Sequence, residues 1–175
     1  MLISPEMIEQ NKLLLKSNDA YGVSGGAHRD LIRPVVKWGR KSLLDYGAGR
    51  ETVKLTLGPA YHVTSYDPCV DGLDAPPVPH DVVYCGDVLE HVEPEYVDNV
   101  LADIRRCTKE KALIVITLKP SEKFYPNGQN AHLSVHPKEW WEDKIRAAGF
   151  DIIETKPAER TKYLCWWICE PRSPH

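Results

Sequence analysis

The stretch LLDYGAGR, residues 43–50, continued by ETVKLTLGPAYHVTSYD to residue 67, decides the fold. An apolar strand runs into Asp45, Gly47 and Gly49 follow at once, a short helical stretch occupies 50–57, and a second strand ends in Asp67. Glycines at such a junction allow a tight turn and let a ligand lie against bare backbone, with helix N–H groups facing the crevice. An acid about 20 residues beyond the turn, at the carboxyl edge of the neighbouring strand, can accept hydrogen bonds from both hydroxyls of a ribose. The plainer alternative is an ordinary glycine loop, with Asp67 opening the turn Asp67-Pro68.

Outward from this unit the same alternation continues. Short apolar runs at 42–46, 61–66, 81–85, 112–118, 150–154 and 163–169 are separated by helical stretches at 50–57, 94–109 and 137–148. Within 94–109, Val97, Val100, Leu101 and Ile104 recur at helical spacing. This pattern predicts βαβ units and a mostly parallel sheet covered by helices on both faces. No helix separates the last two runs, so the final strand is expected to be antiparallel. Residues 68–80 are too few for a crossover helix and a further strand, so no complete strand is expected between the runs at 61–66 and 81–85. Ahead of the core, residues 5–16 and 27–38 read as helices, and YGVSGG at 21–26 breaks between them. Tyr21, Gly25 and Gly26 there are read either as a flap over a ligand or as a plain loop.

Residues 81–93, DVVYCGDVLEHVE, carry a resemblance to the class I S-adenosylmethionine (SAM)-dependent methyltransferases, matched in order by IRRCTKEKALIVITL and AAGFDII and running from about residue 42 to the end. The sequence is most similar to the group holding the ubiquinone-pathway O-methyltransferases and the small-RNA 2′-O-methyltransferases. The resemblance implies a Rossmann-like domain whose last strand is antiparallel, with SAM as cofactor. It implies that Asp45, Gly47, Ala48 and Gly49 approach the methionine portion, and that Asp67 with Pro68 holds the ribose. Asp87 and Val88 then wall the sulfonium. Glu51 departs from the pattern, standing where the family has its third glycine, and implies a looser turn or a slightly displaced helix. Asp71 or Asp74 stands in for the adenine-binding acid of the family's third strand, here short or missing, or else merely solubilises a loop.

For catalysis the expected residues are His91, Glu90 and His136, with His91 preferred over His136 as proton acceptor; His132 lies in the same loop, 119–136. In the small-RNA group an acid-x-x-Glu-His run and a later His before Trp bind a metal. Here Asp87-x-x-Glu90-His91 and His136 before Trp140 share that spacing, which implies a divalent metal on Glu90, His91 and His136. Against this stands the reading that Glu-His is generic to the family and His136 caps the helix from Pro137. All three side chains are expected to converge on the rim beyond the carboxyl ends of the strands.

Composition narrows the function classes. The 175 residues are 42% hydrophobic and 27% charged, which fits one globular domain, with 1–40 as a helical cover and 41–175 as the core. A net charge of −3 gives no footprint for duplex DNA, and Lys37, Arg40, Lys41, Lys119 and Lys123 read as solvated surface. No run approaches the roughly 20 apolar residues of a membrane span. Five cysteines, with no CxxC pair, point to a reducing cytosol and to neither a disulfide framework nor a nucleophile. Adjacent tryptophans at 140–141 and 166–167 point to different faces, so at least one of each pair is core, not a base-stacking platform. No Asn-Pro-Pro-Tyr-type run favours amino-methylation of DNA bases. The expected activity is methyl transfer from SAM to an oxygen or nitrogen of a small-molecule or nucleic-acid-end acceptor. The alternatives are a SAM-binding lyase, sensor or inactive partner, and an NAD-dependent oxidoreductase.

Overall fold

In a computed structural model, which describes residues 1–157 and 163–173, six strands form one sheet in the order β2-β1-β3-β4-β6-β5. These are β1 (Leu43–Tyr46), β2 (Val63–Tyr66), β3 (His80–Gly86), β4 (Thr108–Thr117), β5 (Phe150–Pro157) and β6 (Leu164–Pro171). The pairs β1–β2, β1–β3 and β3–β4 are parallel, and β6 runs antiparallel to both β4 and β5. No strand lies between β2 and β3, so β2 is the sheet's edge, as the short 68–80 segment requires.

Helices cover both faces, as the alternation demands. On one face α4 (Val97–Cys107) and α5 (Lys138–Ala147) bury Leu101, Ile104, Trp141 and Ile145 against Leu44, Val83, Ile114 and Trp167. On the other, α2 (Arg29–Val35) and α3 (Thr52–Leu57) set Ile32, Val53 and Leu57 against Leu43, Val82, Leu113 and Trp166. Trp166 and Trp167 thus point to opposite faces and both are buried, as period-2 alternation requires. A third, smaller cluster joins α1 (Pro5–Ser17) to the loop after β4, through Met7, Leu14, Tyr21, Tyr125 and Ala131.

The expected helix over 94–109 needs correction at both ends. Pro94–Tyr96 is a separate 3-10 turn, and α4 stops at Cys107. There Thr108 donates its hydroxyl to the carbonyl of Ile104 (2.7 Å) and starts β4 directly, so polar residues 109–111 are strand. Their charges are placed at the sheet's end: Lys41 pairs with Glu110, and Lys111 with Glu170.

Burial predicts unequal costs for two leucines. Leu101→Ala, at a fully buried position of α4, should lower unfolding free energy by about 2–5 kcal/mol. Leu55→Ala, at an α3 position 76% exposed, should change it by less than about 0.5 kcal/mol. Urea unfolding of both variants measures the contrast.

Candidate active site

The carboxyl ends of β1, β2, β3 and β4 open on one cavity of about 340 Å³, closed from above by the segment that follows α1. Gly47 (φ +82°) and Gly49 (φ +50°) turn the chain out of β1, and the N–H groups of Gly47 and Ala48 both donate to the carbonyl of Tyr66 at the end of β2 (2.8 and 2.9 Å). A Cβ on Gly47 would strike the Val88 side chain, and one on Gly49 would lie 2.7 Å from the carbonyl oxygen of Gly22. Only bare backbone fits at either place. Asp67 joins the turns: its carboxylate accepts from the N–H of Gly49 (2.9 Å) and of Cys69 (2.8 Å), while burial raises its pKa. Gly47, Gly49, Asp67, Pro68, Asp87 and Val88 all line the cavity; Ala48 packs in the core beside them.

Glu51 does not loosen the turn. It adopts the left-handed conformation (φ +56°) that a glycine would take, and its carboxylate accepts from Lys54 Nζ and Ser65 Oγ, both at 2.9 Å. Asp45 is buried at the end of β1, one of its oxygens has no partner, and burial, followed by Asp67 and Glu51, raises its pKa to about 7.

Beyond β3 the chain passes through Asp87, again left-handed at φ +53° and therefore held against its own preference. Its N–H donates to the carbonyl of Val115 (2.9 Å), and its carboxylate accepts from Thr117 Oγ1 (3.0 Å) and lies 3.9 Å from His28 Nε2. The carboxyl of Glu90 is fully buried and accepts from the N–H of Thr117 (2.8 Å), while its backbone carbonyl accepts from Ser134 (3.0 Å). Burial, then the neighbouring Asp87, pushes its pKa well above the ordinary carboxyl value. Glu90 therefore ties the ends of β3 and β4 together from inside and does not line the cavity.

His91 does line it. Its Nδ1 lies 2.6 Å from the carbonyl of Ala131, which can only accept, so Nδ1 carries the hydrogen and Nε2 presents a lone pair. The Tyr21 hydroxyl, 3.4 Å from that same Nδ1, donates instead to Asn11 Oδ1 (2.7 Å). Burial, then the neighbouring His132, lowers the His91 pKa to about 4, so the ring is neutral at pH 7. His132 repeats the arrangement: its Nδ1 is 2.6 Å from the carbonyl of Lys119, and its ring meets that of His91 edge-on at 4.7 Å.

The expected convergence of Glu90, His91 and His136 is not found. His136 stacks on Trp140 at 3.7 Å between ring centroids and is absent from the cavity wall; the histidine beside His91 is His132. Nor does the donor set fit a metal: Glu90 is sealed beneath the cavity wall, His136 is elsewhere, and no group of three His, Cys, Asp or Glu among the described residues is arranged to hold an ion. Asp71 pairs with Lys12 of α1 (2.6 Å), and neither it nor Asp74 reaches the cavity. Tyr21 faces the cavity, whereas Gly25 and Gly26 serve close packing on α3, where Gly26 N–H donates to Thr52 Oγ1 (3.0 Å). All five cysteines are buried and free, and burial raises the Cys85 thiol well above its ordinary pKa.

The lowered pKa of His91 makes a stability prediction. As pH falls from about 6.5, the ordinary histidine value, towards about 4, the unfolded chain takes up a proton that folded His91 refuses, so stability is lost across that window. His91→Gln should lose less stability than wild type between pH 7 and pH 4.5 in urea unfolding. Parallel losses in the two proteins would contradict the assignment.

No protein-family model matches the sequence, and no curated protein matches it. Solved structures do share its fold. The 1,6-didemethyltoxoflavin-N1-methyltransferase of Burkholderia thailandensis, with 1,6-didemethyltoxoflavin and S-adenosylhomocysteine bound, superposes with a TM-score of 0.63 at 16% identity, over 99% of this chain and 92% of that one. DhpI in complex with S-adenosylhomocysteine gives 0.65 at 15% identity, over 98% and 100%. The [4+2]-cyclase SpnF gives 0.58 at 15% identity, over 85% and 81%. The chain thus has the mostly parallel Rossmann-like fold found in SAM-dependent methyltransferases.

Proposed function

We propose that this protein binds SAM in the cavity at the strand ends and transfers its methyl group to an oxygen or nitrogen of a small molecule. The observation that carries the reading is the meeting of the glycine turn, Asp67 and His91 around one cavity. Bound SAM would supply an activated methyl group. Its methionine portion would lie against the bare backbone of Gly47 and Gly49, where a Cβ finds no room. Asp45 does not line the cavity and would meet an ammonium there only through its one unpartnered buried oxygen. Asp67, still with open lone pairs, would take the ribose diol beside Pro68, and Asp87 and Val88 would flank the sulfonium. His91 Nε2 would accept the proton of the attacking group while the cavity holds donor and acceptor in line.

The bound S-adenosylhomocysteine of the first two structures supports this reading, and the small-molecule ligand of the toxoflavin enzyme favours a small acceptor over a nucleic-acid end. No described helix is long and apolar enough to cross a membrane. We further read residues 1–175 as one domain, with 1–40 its cover, working in a reducing cytosol, which five buried free thiols suit. A second reading has one observation behind it: SpnF is a cyclase on the same fold, so SAM binding without methyl transfer is its alternative. Release of labelled methyl into an acceptor separates the two.

Asp67→Asn removes the charge yet keeps the shape, and should weaken S-adenosylhomocysteine binding by about 1–3 kcal/mol in calorimetric titration. An unchanged affinity with the fold intact would leave Asp67 a turn residue only.

A further inference from the structure

The loop after β4 is not a bare connection. Residues 121–131 fold back as a small hairpin: the N–H of Ala131 donates to the carbonyl of Lys123 (3.0 Å), that of Tyr125 to Gln129 (2.8 Å), and Phe124 bridges Asn130. Side chains alternate along it, so Tyr125 is buried against α1 while Phe124 is 58% exposed. Lys123, two residues before Tyr125, therefore turns inward with it and reaches the cavity, although in the sequence it reads as surface. Ser121 Oγ accepts from its N–H (3.0 Å) and fixes its backbone.

Among the described residues, Lys123 is the only Lys or Arg on the cavity wall. Its Nζ donates to the carbonyl of Ala20 (2.5 Å) and lies 5.6 Å from the centre of the Tyr21 ring. Among the described residues no carboxylate forms an ion pair with it. The wall's two acids, Asp67 and Asp87, belong to the ends of β2 and β3. An ammonium has three hydrogens, and a neutral carbonyl and an aromatic face satisfy only part of its demand. Its neighbour across the hairpin, Ala131, is the residue whose carbonyl holds His91. Lys123 thus stands next to the hairpin residue that holds the neutral His91, and no carboxylate among the described residues is paired with its ammonium.

We propose that Lys123 is the anchor for an anionic acceptor, a small molecule whose carboxylate pairs with Nζ while its reacting hydroxyl or amine faces His91. This rests on the methyl-transfer reading. The carboxylate would supply a counter-charge and fix which end of the molecule faces the methyl donor. The nucleophile bonds to the methyl carbon, the carbon–sulfur bond breaks with its electron pair remaining on sulfur, and the proton passes to His91 Nε2.

The test uses the whole protein saturated with S-adenosylhomocysteine and titrated with benzoate or benzamide, followed by nitrogen–proton correlation spectra. Benzoate should bind about tenfold more tightly than benzamide, the scale expected of one charge-assisted contact. Lys123→Met should abolish that preference and leave S-adenosylhomocysteine affinity unchanged, while Lys123→Arg should keep the preference. Equal binding of the two probes, no saturable benzoate binding, or a preference that survives in Lys123→Met would overturn the proposal. So would a tenfold loss of S-adenosylhomocysteine affinity in Lys123→Met, which would make the carboxylate the cofactor's own. Failure of wild type to bind S-adenosylhomocysteine would instead remove the methyl-transfer reading, and benzoate titrated into the free protein would still report on Lys123.

Discussion

Two glycines with no room for a side chain hold this site together. Gly47 touches Val88 from the end of β3, and Gly49 touches the carbonyl of Gly22 from the segment after α1. Three separate parts of the chain are thereby brought to one point, and Asp67 adds a fourth through its bond to the Gly49 N–H. Arg50, next in sequence, fastens the cover: its backbone N–H donates to Gly22, and its guanidinium to the carbonyls of Tyr21 and Leu15. The turn that would receive the cofactor is thus bonded directly to the segment carrying Tyr21, whose ring stands at 5.6 Å from that of His91.

No strand lies beyond β2 among the described residues, and the chain turns locally there. Residues 67–73 close on themselves, with Asp67 N–H donating to Leu73 and Leu73 N–H to Val70. Helix α1 is tethered to this turn through Lys12 and Asp71. That ion pair is exposed and contributes little stability. Its importance is geometric, since a groove of about 700 Å³ remains between α1 and the 69–73 turn, beside Gly49 and Arg50.

The sheet, its edge at β2 and its antiparallel last strand were legible because apolar periodicity and segment length report burial and chain reach directly. Gly47, Gly49 and Asp67 were legible for a similar reason, as turn geometry restricts residue type. The acceptor side was not. Spacing singled out His136, but spacing is blind to the stacking that holds that ring on Trp140. Pairing of His132 with His91 depends on a hairpin of mostly polar residues, whose register no periodicity betrays. Lys123 looked like surface for that same reason. Glu90 was expected in the reaction, yet the missing knowledge was its depth: a carboxyl bound to the Thr117 N–H inside the sheet is support for the site. Residues 109–111 were hidden as strand by their charges, which sit at the sheet's end where water and ion pairs satisfy them.

On the proposed function, the cavity beyond the glycine turn is a SAM site. Titration calorimetry of the purified protein with S-adenosylhomocysteine and, separately, with NAD tests it most directly, because both ligands carry the adenosine that such a turn can accommodate. The account predicts saturable one-to-one binding of S-adenosylhomocysteine and none of NAD. Binding of NAD alone, or of neither ligand, would contradict it.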